Sequence, residues 1–389
     1  MVTLPDAAWR HRPGIDALIA ALPGARFVGG CVRDALLGIA PADIDLATPM
    51  PPDMVMRRLE DAGIKAVPTG IAHGTITAVS EGTVVEVTTL RRDVATDGRH
   101  AQVAFTDDWR ADAARRDFTI NALSADPATG AVADYFDGLG DLAARHVRFI
   151  GDPMQRIAED HLRILRFFRF LARFGDTPDA QGLAACAARA NDLMALSRER
   201  IRDELLKLLI ARDAVRVIVL MLDHAILRPV LPEVVSAGAL AALVGREAAA
   251  GVAPDAIRRL AALVPAPFCE TIGVRLKLSN ADRKRLAVAI MPPGATGARE
   301  LVYRTGTVGA VDRLLLSDRA IADVRNAAEW PRPALPIGGG ALVARGLRKG
   351  PDIARVLRAI EDQWIGEGFP DADRVEEIAD AAVAAAISA

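Results

Sequence analysis

Two neighbouring stretches decide the fold of the first part of the chain, Arg26-Phe-Val-Gly-Gly-Cys-Val-Arg-Asp34 and Asp43-Ile-Asp45. In the first, a short apolar run leads into paired glycines and an amphipathic segment, which predicts a strand, a turn and a helix. Without a Cβ at Gly29 and Gly30, backbone N–H groups can approach an anion beside the helix N-terminus, where Arg33 can add charge-assisted bonds. A plain turn is the alternative. The spacing matches neither a Walker loop nor GxGxxG, which excludes P-loop and Rossmann sites.

The second stretch predicts a pair of catalytic carboxylates. On a strand, Asp43 and Asp45 project from one face while Ile44 and Leu46 pack beneath them. Two adjacent carboxylates suit Mg²⁺, which prefers few carboxylates together with substrate phosphates. A capping or surface pair is the alternative, and the preceding Gly-Gly unit disfavours it. Glu86 is a candidate third carboxylate, although a charge on an edge strand explains it equally well.

Two later segments carry nucleotide-binding residue types. In Arg115-Arg-Asp-Phe-Thr-Ile-Asn-Ala122, arginine forks and an amide can grip triphosphate oxygens and a ribose. A capped helix start with surface charges is the alternative.

The other segment, Glu159-Asp-His-Leu-Arg-Ile-Leu-Arg-Phe-Phe-Arg169, predicts an amphipathic helix with Arg163, Arg166 and Arg169 on one ridge beside Asp160. A carboxylate beside a guanidinium matches the amino group and bare ring nitrogen that cytosine and adenine share, and it mismatches uracil and guanine. A surface salt bridge between Asp160 and Arg163 is the alternative.

The organisation of the chain is α+β. Its 389 residues allow two to three domains, and a composition of 51% hydrophobic and 25% charged residues is typical of a soluble globular protein. Short β-like runs at 25–28, 44–47, 74–79, 83–90 and 102–105 predict an α/β unit up to about residue 150. From about residue 155 the periodicity is helical to the end of the chain, with soft boundaries near 150, 210 and 290.

Charge and cysteine usage exclude several classes. The net charge of −2 argues against an indiscriminate polycation, but residues 145–173 and 345–358 each carry a net +4, a plausible phosphate footprint or else a solvated helix face. Three scattered cysteines suggest neither a disulfide framework nor a zinc site. The N-terminus has no secretory apolar core, and an uncharged stretch such as the 12 residues 234–245 is too short to span a membrane, so we expect a cytoplasmic protein.

Taken in order, the motifs resemble those of class II tRNA nucleotidyltransferases, which are the CCA-adding enzymes and their bacterial poly(A) polymerase relatives. The tail segment Gly346-Leu-Arg-Lys-Gly-Pro351 is also similar to that family. The motifs that carry the resemblance are Gly-Gly-Cys-Val-Arg-Asp34, Asp43-Ile-Asp45, Arg-Arg-Asp-Phe-Thr-Ile-Asn-Ala122, Glu-Asp-His-Leu-Arg163 and Ser197-Arg-Glu-Arg-Ile201 with Glu204.

The resemblance implies a polymerase-β-like nucleotidyltransferase head (1–150) followed by all-α neck (151–210), body (211–290) and tail (291–389) regions. The tail would bind tRNA. A flexible loop that helps the switch from C to A would lie at 91–102, and its presence disfavours an enzyme limited to adding CC. The metal and catalytic residues implied are Asp43 and Asp45, and the nucleotide-binding residues are Gly29, Gly30, Arg33, Arg116, Asn121, Asp160, Arg163, Arg166 and Arg169.

The sequence therefore predicts a Mg²⁺-dependent CCA tRNA nucleotidyltransferase that adds C, C and A from CTP and ATP and holds the acceptor and T-arms of tRNA. No obligate protein partner is evident. Three alternatives stay open: a poly(A) polymerase with the same head chemistry, a non-catalytic tRNA-binding module, and a nucleotidyltransferase acting on a small molecule. The two basic segments and the long helical part exceed what a small acceptor needs.

Overall fold

The computed structural model describes residues 2–96 and 101–388, and it divides the chain into two compact units. The first unit comprises the chain up to Ala241 together with Asp255–Ser279, and the second comprises Ala242–Pro254 and Asn280–Ala389. The predicted boundaries at 150 and 210 fall inside the first unit, so the division into head, neck, body and tail stays a prediction.

The first unit contains a mixed seven-stranded sheet with the strand order β3-β4-β5-β2-β1-β8-β9. Only β2 and β5 are parallel neighbours in it. Two small two-stranded sheets, β6-β7 and β10-β11, accompany it. The strands of the described residues are β1 (Arg26–Val28), β2 (Asp45–Thr48), β3 (Lys65–Gly70), β4 (Thr75–Ser80), β5 (Thr83–Thr89), β6 (Arg91–Thr96), β7 (Ala101–Phe105), β8 (Ser124–Ala125), β9 (Val132–Ala133), β10 (His146–Val147) and β11 (Thr177–Pro178).

The five predicted strands are confirmed as β1, β2, β4, β5 and β7, but the main sheet also has strands that the pattern did not reveal. Strand β3 contains Pro68 and is mostly solvent-exposed, which an edge strand tolerates and an alternation pattern misses. Strands β8 and β9 have two residues each. The predicted flexible loop at 91–102 consists in part of the hairpin β6-β7, and residues 97–100 lie outside the described part of the chain.

Helices follow from residue 153 onward, as predicted, with the short strand β11 among them. The helices of the described residues are α1 (Ile15–Ala21), α2 (Gly30–Leu36), α3 (Pro52–Asp61), α4 (Trp109–Ala114), α5 (Gly138–Ala143), α6 (Pro153–Glu159), α7 (Arg163–Phe174), α8 (Ala180–Ala188), α9 (Arg198–Leu209), α10 (Ala214–Asp223), α11 (Gly238–Ala250), α12 (Ala256–Leu263), α13 (Cys269–Arg275), α14 (Asn280–Ala289), α15 (Ala298–Leu315), α16 (Ile321–Glu329), α17 (Gly339–Ala344), α18 (Pro351–Gly366) and α19 (Ala372–Ser388). The α+β architecture is thus confirmed.

An aromatic cluster fixes helix α7 against the segments that follow the sheet. Phe118 and Phe149 lie with ring centroids 4.9 Å apart, and Phe167 of α7 stacks on Phe149 at 5.5 Å. Phe170 of α7 lies 5.2 Å from Phe118. These rings are buried. Because such packed rings leave little freedom, residues on the opposite face of α7 keep a fixed position relative to the sheet.

The second unit has its own aromatic and aliphatic core. Trp364 of α18 is buried, packs edge-on against Tyr303 and Phe369, and donates a hydrogen bond to the carbonyl of Pro370. Val356 and Ile360 of the same helix are also buried. Within the part of the chain that the structure describes, no helix is long and apolar enough to cross a membrane.

Candidate active site

The predicted metal-binding and nucleotide-binding residues, apart from the candidate third carboxylate Glu86, line one cavity of about 580 Å³ in the first unit. The sheet contributes the ends of β1 and β2, and α7 contributes a row of arginines. Arg115, Asp117 and Phe170 also line it. The nominated residues that the cavity brings together are Gly29, Gly30, Arg33, Asp43, Asp45, Arg116, Asn121, Asp160, Arg163, Arg166 and Arg169.

The paired glycines form the junction between β1 and α2. Gly29 has φ +67° and ψ −119°, a conformation open to glycine and strained for other residues. A Cβ at Gly29 would lie 2.7 Å from Nη1 of Arg116, so the lack of a side chain also lets this arginine approach the turn. Arg116 donates from Nη1 to the carbonyl of Asn121 at 3.2 Å. The turn therefore presents backbone and a guanidinium to the same side of the cavity.

The two aspartates lie at the start of β2. Asp45 is its first residue, and Asp43 precedes it in an irregular segment, so only one of the pair is on the strand itself. Ile44 and Leu46 are buried beneath them, as predicted. Both carboxylates line the cavity. The pair thus faces the arginines from the sheet side.

Glu86 lies beside Asp45 on an interior strand. Its strand, β5, is flanked by β4 and β2, and residue 86 is in register with Asp45 in the parallel pair, so the interpretation of an edge-strand charge is wrong. A second cavity of about 650 Å³ is lined by Asp43, Asp45 and Glu86. The pKa of Asp45 is raised to about 6, chiefly by burial and then by the negative charges of Glu86 and Asp43, while the positive charge of Arg116 opposes the rise.

The aspartate pair fits a divalent cation that keeps other ligands of its own. Among the described residues, no group of three or more His, Cys, Asp or Glu side chains forms a closed metal site. Mg²⁺ is commonly held by one or two carboxylates together with waters and phosphates. Burial and the neighbouring carboxylates raise the pKa of Asp45, and a bound cation would offset both effects.

Arg33 is locked in place from three sides. It is buried, donates from Nε to Oδ1 of Asp34 at 2.8 Å and from Nη1 to Oδ1 of Asn121, and its guanidinium lies 4.2 Å from the ring centroid of Phe174. Burial lowers the pKa of Arg33, and the charge of Asp34 opposes that effect. Arg173 donates to the other oxygen of Asp34 at 3.2 Å. The guanidinium is therefore held at the cavity wall with little freedom.

Asp117 links the sheet side of the cavity to α7. Arg166 donates from Nε to its Oδ2 at 2.7 Å, and Asn121 donates to its Oδ1 at 3.0 Å. Burial alone would raise the pKa of Asp117, but the charge of Arg166 and these hydrogen bonds hold it below its ordinary value. Asp117 is a cavity residue that the sequence did not predict. The feature of the sequence that could have predicted it is its position between a double arginine and an asparagine.

The arginines of α7 occupy one ridge, as predicted, and each has a carboxylate partner. Arg163 donates to Glu159 at 2.6 Å, and Arg169 donates to Glu204 of α9 at 2.5 Å. The guanidinium of Arg169 also lies 4.3 Å from the ring of Phe170. These partners hold the ridge toward the cavity.

Asp160 and Arg163 differ from the prediction in one respect. The predicted continuous helix is broken: α6 ends at Glu159, Asp160 is extended at φ −151° and ψ 107°, and α7 begins at Arg163. Asp160 accepts from the backbone N–H of Leu162 at 3.1 Å and from Nη2 of Arg200 at 2.9 Å. The alternative of a salt bridge between Asp160 and Arg163 is wrong, since each has another ionic partner. Arg200 lies in the fifth motif, but the sequence did not predict it as a site residue.

A mixed sheet that presents two carboxylates to an arginine-lined cavity defines a nucleotidyltransferase. The comparisons specify it further. A family described as "Poly A polymerase head domain" matches residues 25–148, and one described as "Probable RNA and SrmB- binding site of polymerase A" matches residues 177–237. The chain is 35% identical over 364 residues to CCA tRNA nucleotidyltransferase 1, mitochondrial, of Mus musculus, which covers 88% of this chain and 83% of that protein.

Two bacterial proteins give the same result. The CCA-adding enzyme of Levilactobacillus brevis is 41% identical over 208 residues, 53% of this chain and 51% of that protein. The crystal structure of the Bacillus stearothermophilus CCA-adding enzyme in complex with CTP matches with a TM-score of 0.69 at 25% identity, and the match covers 90% of this chain and 91% of that chain. The chain belongs to the class II CCA-adding tRNA nucleotidyltransferase family, whose members need a divalent metal.

Proposed function

We propose that the protein completes tRNA 3′ ends by adding C, C and A stepwise from CTP and ATP, with release of pyrophosphate. The observation that carries this proposal is a single cavity lined by a carboxylate pair, a glycine turn, a buried arginine and the further residues Asp160 and Arg163. The acceptor and T-arms of tRNA are the proposed partner surfaces. A cytoplasmic location stays a prediction, since the relatives include a mitochondrial protein and bacterial ones.

The carboxylate pair supplies the catalytic end of the cavity. Asp43 and Asp45 are the residues that would hold Mg²⁺, which when bound lowers the pKa of the terminal ribose hydroxyl and offsets the charge of pyrophosphate. Covalent catalysis is not required, because positioning and charge stabilisation carry most of a phosphoryl transfer. Glu86 is in register with Asp45 and keeps the local potential negative, which favours cation binding. We therefore retain it as a candidate third carboxylate.

The arginines of the cavity are the residues that would bind the triphosphate. Arg33, Arg116, Arg166 and Arg169 line the same cavity as the carboxylates, and arginine forks match phosphate oxygens geometrically. Arg33 is oriented by Asp34 and Asn121, and Arg166 by Asp117. Because these partners fix the guanidiniums before a nucleotide arrives, little reorganisation is needed when charge develops on the leaving pyrophosphate.

The base is selected by Asp160 and Arg163. Asp160 accepts bonds from Leu162 and Arg200, and its carboxylate retains acceptor capacity for an exocyclic amino group. Arg163 donates to Glu159 and to the carbonyls of Arg156 and Arg115, and its five N–H groups leave donors for an unprotonated ring nitrogen. Cytosine and adenine present that pair of groups, whereas uracil and guanine do not.

The experiment is product analysis. Purified protein, Mg²⁺, CTP and ATP are incubated with tRNA transcripts ending before CCA, after C and after CC. We expect three, two and one additions, the last being A. A long A ladder on any RNA would instead identify a poly(A) polymerase, and addition of C alone or A alone would identify a divided pathway. Tight tRNA binding without incorporation would identify a binding module.

A further inference from the structure

Arg156 is a buried arginine in the last turn of α6, outside the five sequence motifs. It is not among the described residues that line the proposed nucleotide cavity. A guanidinium removed from water needs carboxylate or carbonyl partners, because burying an unpaired charge is costly. The partners of Arg156 therefore indicate what it does in this part of the fold.

One nitrogen of Arg156 holds the backbone just after α4. Its Nη2 donates to the carbonyls of Arg115 and Arg116, each at 2.5 Å. Helix α4 ends at Ala114, and carbonyls at a helix C-terminus lack acceptor partners within the helix, so an arginine side chain can satisfy them. Because Asp117 follows directly, this contact fixes the start of the segment that carries Arg116 and Asp117 into the cavity.

The other edge of the guanidinium meets the segment proposed to select the base. Nη1 of Arg156 donates to Oε2 of Glu159, the same oxygen that accepts from Nη1 of Arg163 at 2.6 Å. Arg163 also donates from Nη1 to the carbonyl of Arg156 at 2.8 Å and from Nη2 to the carbonyl of Arg115 at 3.1 Å. The side chains of Arg156, Glu159 and Arg163 and the carbonyl of Arg115 thus form a closed ring of hydrogen bonds.

We propose that Arg156 is a positioning residue for base selection, which fixes Arg163 relative to Arg116 so that base and triphosphate are held in one geometry. This inference rests on the proposed function. Charge-assisted hydrogen bonds that close into a ring restrain each member through its neighbours. Lysine cannot substitute for Arg156, because one ammonium nitrogen does not present a planar fork to a carboxylate and to two carbonyls. A displaced Arg163 meets the ring nitrogen of cytosine at a poorer angle, which weakens discrimination against uracil.

The test is competition between CTP and UTP for a tRNA that ends before CCA, with the full chain carrying Arg156→Lys. Both nucleotides compete for the same folded molecules, so the ratio of C to U incorporated does not depend on how much protein is folded. We expect this ratio to fall about tenfold, while the KM for tRNA stays within about twofold of the wild-type value. Arg246→Lys is the matched control and should keep the wild-type ratio. Arg246 also donates to carbonyls at a helix C-terminus, those of Leu314 and Leu315 in the second unit.

A double variant identifies the residue through which Arg156 acts. In Arg163→Ala the ring is already open, so the addition of Arg156→Lys should change the ratio of C to U by less than about twofold. Independent, multiplying effects of the two substitutions would overturn the proposal. A wild-type ratio in Arg156→Lys, or an equal fall of the ratio in Arg246→Lys, would overturn it as well.

Two further measurements keep the test decisive. If Arg156→Lys does not fold, Arg156→Gln, which removes the buried charge and keeps a donor, must show the lowered ratio. If the wild-type protein adds no nucleotide, the proposed function fails, and calorimetric affinities for CTP and UTP then test Arg156 separately. The wild-type protein must bind CTP more tightly than UTP, and Arg156→Lys must reduce that preference. Equal affinities in the wild-type protein, or an unaltered preference in the variant, would contradict the role of Arg156.

Discussion

At the scale of single residues, the two side chains proposed to select the base have different supports. Asp160 sits in an extended break between helices and is held by Arg200, whereas Arg163 is held by Glu159 and by main-chain carbonyls. The two groups are fixed independently. Each can therefore be altered without automatically displacing the other.

We expect Asp160→Asn to reduce kcat/KM for CTP and ATP by about 10-fold to 100-fold, a loss of about 1.4 to 2.7 kcal/mol. The amide keeps the size of the carboxylate but places a donor where the amino group of the base needs an acceptor. Incorporation of UTP should rise relative to CTP. Steady-state rates with all four nucleotides give the ratios, and Asp203→Asn, an exposed acid paired with Arg202, is the control. Unaltered ratios in a folded variant would remove Asp160 from base selection.

Arg163→Ala should blur nucleotide choice toward U or G, because the donor that meets the bare ring nitrogen of C and A is lost. It also leaves Glu159 with Arg156 as its remaining partner, so circular dichroism must verify that the fold survives. Selectivity equal to wild type with intact folding would refute the role of this arginine.

A divalent cation held by the carboxylate pair should bind with an affinity that depends on pH. With the pKa of Asp45 raised to about 6, the folded protein binds a proton at this residue below that pH and loses it above. A cation must displace the proton, so affinity for Mg²⁺ should fall about tenfold between pH 7 and pH 5. Calorimetric titration at several pH values measures this.

Asp43→Ala should abolish incorporation but leave tRNA binding intact, and retained incorporation would contradict the metal assignment.

Glu86→Gln separates the two roles open to Glu86. If Glu86 acts through its charge alone, the variant should shift the midpoint of the pH dependence of Mg²⁺ affinity downward, because one cause of the raised pKa of Asp45 is removed. If it ligates the cation, Glu86→Asp, which keeps the charge but shortens the side chain by one methylene, should also lower affinity at pH 8. An unmoved midpoint with unchanged affinity would exclude both roles.

At the scale of elements, the turn between β1 and α2 has a backbone conformation that allows Arg116 to approach it, and the proposed nucleotide site depends on that approach. In Gly29→Ala, the new Cβ meets both a positive φ and the guanidinium of Arg116. We expect kcat/KM to fall about 100-fold, since small displacements of substrate-positioning groups cost that much. Gly38→Ala is the matched control, because Gly38 has φ +71° with no atom within 4 Å and so tests strain without a clash. Equal losses in the two variants would assign the effect to backbone strain.

Helix α9 braces the cavity from outside. Arg200 and Glu204 lie one turn apart on the helix, and they hold Asp160 and Arg169 respectively. We expect Arg200→Ala to lower kcat/KM for CTP and ATP about tenfold and to relax selectivity less than Asp160→Asn does. Arg202→Ala, on another face of α9, is the comparison. Wild-type selectivity in Arg200→Ala would show that Asp160 needs no support from α9.

The sequence predicted those elements whose signal is local. The Gly-Gly turn, the strand after Asp43 and the arginine ridge of α7 follow from spacing within a few residues. The break before α7 does not follow from local spacing. Asp160 lies outside the helix, where it accepts hydrogen bonds from the backbone N–H of Leu162 and from Arg200, a partner 40 residues away. Likewise, no spacing reveals that β5 is the parallel neighbour of β2, which is what places Glu86 beside Asp45. Both features depend on contacts between residues far apart in the chain, and spacing within a single sequence does not reveal such contacts.

At the scale of the whole molecule, the proposed nucleotide cavity and the aromatic core around Trp364 belong to different units. Every residue that lines the cavity lies in the first unit, whereas Trp364 and its neighbours pack in the second. Each unit buries its own apolar side chains. Chains with more than one core commonly depart from two-state unfolding.

We therefore expect calorimetry to resolve two unfolding transitions that respond to different changes. CTP with Mg²⁺ at about 100 times its Kd should stabilise the first unit by about 2.7 kcal/mol and raise one transition temperature, because a ligand stabilises only what binds it. Trp364→Ala should lower the other, since removing a buried tryptophan costs about 3 to 5 kcal/mol. Val235→Ala, at a highly exposed side chain, is the control for substitution itself. A single transition that moves with both the ligand and Trp364→Ala would mean that the two units unfold as one.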